Sequence, residues 1–440
     1  MQTSLAPQYL GTPDGQAAEA ILRKCVHCGF CTATCPTYQL LGDELDGPRG
    51  RIYLMKQVLE GATPTRATQQ HLDRCLTCRN CESTCPSGVQ YGHLVDIGRK
   101  LVDAQVPRPA GERAVRWLLK EGLTSPLFKP AMALGKLVRP LLPAALKDKV
   151  PGAAHPRAKL WPRTEHPRKV LMLMGCVQPA MLPNINSATA RVLDAAGIQT
   201  LVADEAGCCG AIRTHLNDPA GGLADMRRNI DAWWPLISSA RVEAIVMNAS
   251  GCGATVKDYG HALAHDPDYA ERAARVSELT RDLSELLPDM VPALKGKLRP
   301  GAARPAGGMT SPNPTKANKA TQTPSATSTP GATPRLAFHP PCTLQHGQQL
   351  RGGVEAGLRE LGFDIGIATQ ESHLCCGSAG TYSVLQPVLS HQLRDRKLGH
   401  LAELQPEAIV SANIGCIQHL QSGTATRVAH WVEVLDEALA

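Results

Sequence analysis

Cys25-Val26-His27-Cys28-Gly29-Phe30-Cys31-Thr32-Ala33-Thr34-Cys35-Pro36 recurs fifty residues later as Cys75-Leu76-Thr77-Cys78-Arg79-Asn80-Cys81-Glu82-Ser83-Thr84-Cys85-Pro86. Three cysteines two residues apart wrap one corner of an iron–sulfur cube, because each thiolate takes a different iron. The fourth is turned away by the intervening residues and the proline, and ligates the other cluster. The spacing therefore predicts two [4Fe–4S] clusters. One is held by Cys25, Cys28, Cys31 and Cys85, the other by Cys75, Cys78, Cys81 and Cys35. Zinc sites pair two CxxC units across a spacer and need four ligands, which this doubled run of four closing on Cys-Pro does not match. Two clusters with crossed ligands sit close together and suit electron relay.

Between the runs, Ile52, Met55 and Leu59 recur at helical spacing within Gly50–Glu60. The module resembles the all-helical ferredoxin unit of succinate dehydrogenase-type iron–sulfur proteins more than the compact βαβ bacterial ferredoxin. Lys24 and Arg74 precede the first ligand of each run and could offset cluster charge or simply face solvent. His27 lies inside a ligand loop that is already complete without it.

The rest of the chain divides by composition. Residues 1–100 hold eight cysteines, and a connector at 101–168 holds none. Two blocks, 169–295 and 335–440, hold four cysteines each, and between them residues 296–334 are dominated by Pro, Thr, Ser, Ala and Gly, the composition of a disordered linker. The two blocks are repeats. Lys169–Cys176 parallels Arg335–Cys342; thirty-one residues separate Cys176 from Cys208-Cys209-Gly210, and thirty-two separate Cys342 from Cys375-Cys376-Gly377. Glu243-Ala244-Ile245-Val246 precedes Cys252 by five residues, as Glu407-Ala408-Ile409-Val410 precedes Cys416. Each repeat alternates short apolar runs (Val170–Met174, Ala244–Met247) with helical stretches such as Asn184–Ala196, which predicts a parallel α/β sheet with cysteine loops beyond the strand ends. The expected architecture is multidomain: an all-α, ferredoxin-like module followed by two α/β repeats packed as a pseudo-twofold pair.

The remaining features mainly exclude. The net charge of +7 is modest, and no basic run or finger spacing points to nucleic acid. An apolar fraction of 43% with only 4% aromatic residues calls for an aliphatic core. The start Met1-Gln2-Thr3-Ser4 lacks the pattern of a signal peptide, and no run reaches the ~20 apolar residues of a membrane helix. Sixteen cysteines in a reducing cytoplasm are expected to bind metal rather than pair. No G-x-G-x-x-G follows a strand, so neither flavin nor nicotinamide binding is expected. Residues 109–149 mix Trp117, Leu118, Leu119, Leu127, Phe128, Leu134, Leu137 and Val138 with Arg113, Arg116, Lys120, Lys129, Lys136 and Arg139. Such a segment is either a packed connector or a basic surface for a membrane or an acidic partner.

The cysteine pattern of each repeat resembles the cysteine-rich CCG domain. That domain occurs in heterodisulfide reductase, in anaerobic glycerol-3-phosphate dehydrogenase, and in glycolate and lactate oxidation proteins. In the reductase the full motif ends in CxxC and binds a noncubane cluster; here the last position is Thr255 in one repeat and His419 in the other. Cys176, Cys208, Cys209, Cys252, Cys342, Cys375, Cys376 and Cys416 are candidate ligands of further clusters, against a reading as buried structural thiols. Arg23–Cys31, Leu45–Ile52, His71–Cys81 and Cys85–Val89 resemble the iron–sulfur subunit of glycolate oxidase, more properly a glycolate dehydrogenase. The resemblance implies an electron-transfer chain with no catalytic residue of its own. It would work with an FAD subunit that oxidises glycolate to glyoxylate, with related complex subunits, and with a respiratory acceptor such as quinone. The expected location is cytoplasmic, or peripheral on the inner face of the membrane. The alternatives are the glycerol-3-phosphate dehydrogenase iron–sulfur subunit, which shares the layout, and a thiol–disulfide reductase.

Overall fold

The computed structural model describes residues 1–143, 147, 150–152, 156–239, 241–299 and 335–439. Thr12 opens α1 (Pro13–Lys24) by accepting the Gly15 N–H at 3.1 Å, and Pro13 presets the first turn. Ala18, Ile21 and Leu22 of α1 pack with α2 (Pro48–Leu59), α3 (Arg66–Asp73) and α4 (Tyr91–Gln105) around Ile52, Met55, Leu59, Leu72, Leu94 and Val95. The three apolar residues that predict a helix over 50–60 all face this core. Helix α4 runs on past residue 100 to Gln105, where Gln69 bonds Asp103 and the Val106 carbonyl. Two more helices follow, α5 (Ala110–Thr124) and α6 (Phe128–Val138), and no strand precedes Arg168 among the described residues.

From there the chain builds two four-stranded parallel sheets. In the first, β1 (Arg168–Met172), β2 (Ile198–Leu201), β3 (Ala244–Met247) and β4 (Thr280–Asp282) lie in the order β2-β1-β3-β4. In the second, β5 (Leu336–His339), β6 (Ile365–Ile367), β7 (Ala408–Ser411) and β8 (Arg427–His430) take the order β6-β5-β7-β8. Strands β3, β5 and β7 are buried at every residue, as strands covered on both faces require. The repeated Glu-Ala-Ile-Val therefore marks the same strand in both sheets.

The repeats share one core, in which Val170, Ile185, Leu193, Leu287 and Met290 of the first cluster with Phe338, Leu358, Ile409, Trp431 and Leu435 of the second. Helix α7 (Asn184–Ala195) packs on the chain's last helix, α8 (Trp431–Ala438). Arg191 clamps Asp436 with bonds of 2.6 and 2.7 Å, and Asn184 donates to Glu433 at 2.8 Å. Residues 296–299 belong to this arrangement, since Leu298 bridges Leu439 and the Arg299 N–H donates to the Ala438 carbonyl. The rest of the expected linker, 300–334, lies outside the described residues. The N-terminal helices lean on both repeats. His93 stacks on His261 with ring centroids 3.9 Å apart and reaches Asp258 at 3.0 Å, while Ser83 meets His346 at 2.7 Å and the Tyr382 hydroxyl donates to the Arg74 carbonyl at 3.2 Å.

Candidate metal centres

The two N-terminal cysteine runs fold into loops of the same shape. His27 and Gly29 in the first, and Thr77 and Arg79 at the matching places in the second, all have φ between +52° and +84°. Left-handed backbone at three non-glycine residues costs about 1–3 kcal/mol each and persists only where surroundings enforce it. Alternating left-handed residues curl the chain so that its sulfurs converge. Cys25, Cys28, Cys31, Cys81 and Cys85 line one cavity with Pro86, Val89 and Tyr91. Cys35, Cys75, Cys78 and Cys81 line a second with Thr37, Arg51 and Tyr91. Cys85 thus stands with the first run and Cys35 with the second, and Cys81 borders both.

Several of the lining sulfurs are buried, and burial makes a thiol harder to ionise. Burial, reinforced by Cys25, pushes Cys31 up to about 11, and burial pushes Cys78 and Cys81 well above the ordinary thiol range. Crowded thiols, several of them buried, are suited to a metal, which takes up their charge as they lose protons. Arg51 lies beside the second cavity, 1% exposed. It donates to the His71 carbonyl at 2.6 Å and to Thr37 Oγ1 at 3.2 Å, and pairs with Asp46 at 3.3 Å. Burial opposes its charge, but Tyr91, Cys75, Cys35 and Asp46 outweigh that and hold its pKa above the ordinary arginine value. A fixed cation there suits an anionic cluster. Sulfur also receives hydrogen bonds, from the Thr77 amide to Cys75 at 3.4 Å and from the Tyr91 hydroxyl to Cys75 at 3.7 Å.

Each repeat gathers its own four cysteines. In the first, the sulfurs form a chain of contacts Cys176–Cys208–Cys209–Cys252. Cys208 is the sulfur that ionises most readily, because Cys176 and Cys209 donate to it and the Gly210 and Ile212 amides face it. The loop is held by the buried Asn229, which accepts the Gly207 N–H and donates to the Cys208 carbonyl at 2.7 Å, and by Tyr259, whose hydroxyl donates to the Cys209 carbonyl. In the second, the chain runs Cys342–Cys375–Cys376–Cys416, and all four residues are buried. Lys397, 3% exposed, lies near Cys342, Cys376 and Cys375 and donates to the Glu371 carbonyl. The Glu371 carboxylate is engaged by Arg396 and His400. An ammonium buried among neutral thiols would be costly; beside metal-bound thiolates it is balanced. The second repeat also touches the N-terminal module, where Leu76 and Cys78 pack against Cys342, Cys375 and Tyr382.

The glycine that follows each cysteine pair has a steric reason. Gly210 and Gly377 take φ of +93° and +88°, and a Cβ would stand 2.8 Å from the Gly222 carbonyl oxygen and 2.4 Å from that of Ser390. Sequence reasoning did not assign roles to Arg51, Tyr91, His339 or Lys397. Arg51 lies in a quoted stretch, but its reach to the second cavity depends on α2 packing against α4. His339 had a signal, as the one polar residue in a strand whose counterpart reads Val170–Leu173.

Paired thiol cavities in a helical module, followed by two sheets that each gather four cysteines, define an iron–sulfur protein of the dicluster and cysteine-rich class. A model described as a 4Fe-4S dicluster domain matches residues 21–89, and one described as a cysteine-rich domain matches 170–257 and 336–421. The chain is 51% identical to the glycolate oxidase iron-sulfur subunit of Escherichia coli, over 100% of this chain and 99% of that one. It is 29% identical to a probable glycolate oxidase iron-sulfur subunit of Bacillus subtilis, over 96% and 94%. Lactate utilization protein A of Geobacillus thermodenitrificans is 25% identical over 61% of this chain and 98% of its own length. The chain belongs to the glycolate oxidase iron–sulfur subunit family. No helix among the described residues is long and apolar enough to cross a membrane.

Proposed function

We propose that this chain is the electron-transfer subunit of a complex that oxidises glycolate to glyoxylate. A separate FAD subunit takes the hydride, and this chain carries the electrons singly toward a respiratory acceptor such as quinone. The observation that carries the reading is the row of thiol quartets. The cavity of Cys25, Cys28, Cys31 and Cys85 adjoins that of Cys75, Cys78, Cys81 and Cys35 through Cys81, and Cys78 of the latter packs against Cys342 and Cys375. These quartets are the ligand sets of two [4Fe–4S] clusters in an all-helical ferredoxin-like unit. Cys176, Cys208, Cys209 and Cys252, with Cys342, Cys375, Cys376 and Cys416, hold further centres in a pseudo-twofold pair of repeats. The domains proposed are 1–100, 101–168, 169–295, 296–334 and 335–440, with α4 carrying the first unit on to Gln105 and residues 296–299 packed with the repeats.

Partner contact fits α5 and α6. Trp117, Leu118, Leu134 and Leu137 on these helices, and Leu127 between them, are 60–77% exposed. The charges expected to face outward are largely engaged inward: Arg116 pairs with Asp73, Lys120 with Asp218, and Lys136 donates to the Ala180 and Met181 carbonyls. The surface on offer is therefore more apolar than basic, and suits the flavin subunit or the inner face of the membrane.

Glycolate added to the anaerobic complex should reduce the clusters, seen by EPR, and support dye reduction that depends on this chain. Cys85→Ser should damage the cluster whose other ligands begin at Cys25. Clusters that stay oxidised, or dye reduction that is undiminished without this chain, would overturn the reading.

A further inference from the structure

His339 ends β5 and is fully buried. Neither ring nitrogen has a hydrogen-bond partner. A buried polar group left unsatisfied is costly, so a native imidazole with both nitrogens unpaired implies a partner that the polypeptide does not supply. Two sulfurs lie beside it: a ring nitrogen of His339 and the Sγ atoms of Cys376 and Cys416 are all within 4.8 Å of one another. Cys376 continues through Cys375 to Cys342. The other charged or titratable groups facing the ring are Lys397, bonded to the Glu371 carbonyl, and His419, engaged with Ser390. At the equivalent place in the first repeat, one residue past β1, stands Leu173, buried as ordinary core.

We propose that the second repeat holds its iron–sulfur centre through a mixed ligand set in which His339 joins Cys376 and Cys416, whereas the first repeat uses cysteine alone. The inference rests on the reading that the second repeat's cysteines bind a cluster. Imidazole and thiolate together suit iron, and the geometry brings both to one point. Where the neutral imidazole takes an iron that one of the four thiolates would otherwise hold, it removes negative charge from the centre and raises its reduction potential, as histidine ligation does in Rieske centres. The second repeat then differs from the first in potential as well as position, and becomes the electron-accepting end of the row that begins at Cys25.

The test uses the full chain, purified anaerobically with isotope-labelled histidine and examined by pulsed EPR, Mössbauer spectroscopy and iron analysis. Wild type should show a histidine nitrogen coupled to one centre. His339→Leu, which copies the first repeat, should lose that coupling and shift the centre to a lower potential while the four cysteines keep its iron. His339→Cys should keep the iron, lose the nitrogen signal and shift the centre to a lower potential. In wild type, a centre present in the second repeat without histidine coupling would overturn the proposal while leaving the cluster reading intact. Iron sufficient only for the N-terminal clusters and the first repeat would overturn both.

Discussion

Replacing Gly377 with alanine separates two reasons for a glycine beside a metal loop. At φ +88° an L-residue is strained by about 1–2 kcal/mol. The new Cβ would also stand 2.4 Å from the Ser390 carbonyl oxygen and 3.0 Å from Leu393 Cβ, so backbone must move. Overpacking of that kind costs about 1–3 kcal/mol more, for a total of about 2–5 kcal/mol. The yielding element is either the Cys375–Cys376 loop or the helix Pro387–Ala402, and Ser390 Oγ donates to the Gly377 carbonyl at 2.7 Å across that seam. Movement of the loop displaces two of the second repeat's sulfurs, and movement of the helix displaces Lys397 beside them. Gly175 is the control: its φ is +78°, but nothing lies within 4 Å of its added Cβ, so Gly175→Ala should cost only the backbone strain. The assay is a urea titration of each full-length variant, with iron counted after anaerobic reconstitution. Gly377→Ala should unfold at distinctly lower urea and lose iron from the second repeat, while Gly175→Ala keeps its iron. Equal midpoints, within about 0.5 kcal/mol, together with equal iron content would refute the steric argument.

Lys397→Met should lower the reduction potential of the second-repeat centre, because a cation near Cys342, Cys375 and Cys376 is removed, and should leave the signals of the Cys25 loop unchanged; an unmoved potential would show that the ammonium does not act on the centre. Acid should loosen the contact between the N-terminal module and the second repeat. His346 sits between Ser83 and the His373 carbonyl, and burial, with Arg351 adding to it, holds its pKa down at about 4. Its folded pKa lies below the unfolded ~6.5, so its contribution is present above that pH and is lost as pH falls toward 4, by about 3 kcal/mol in all. Thermal midpoints of wild type should therefore fall more steeply over that window than those of His346→Gln, and parallel curves would count against this. Changing Trp117, Leu118 and Leu137 together to Ser should weaken complex assembly or membrane sedimentation about tenfold or more, since each buried apolar side chain contributes about 1.5–3 kcal/mol; retention of both would leave α5 and α6 as a connector only.

Much of this molecule is written locally in its chain. The x2-x2-x3 cysteine runs, the repeated Glu-Ala-Ile-Val and the cysteine pairs followed by glycine are short-range patterns, and each records a local demand: a loop that curls round a ligand, a strand buried on both faces, a residue with positive φ against a helix. The helix over 48–59 was legible because periodicity reports which face is buried, and strand β3 because a short unbroken apolar run marks a strand covered on both faces. What lies far apart in sequence was decided by the tertiary structure. Arg51 reaches the second cavity only because α2 packs on α4, and Cys78 neighbours Cys342 only because the N-terminal helices lean on the second repeat. The single core shared by the repeats, sealed by α7 against α8, could not be read from two similar sequences, since complementarity between surfaces leaves no periodic trace. His339 is the sharpest case. In sequence it is one polar residue at a strand end; in the fold it is a buried ring with no partner except sulfur, and only the convergence of three distant segments makes that visible.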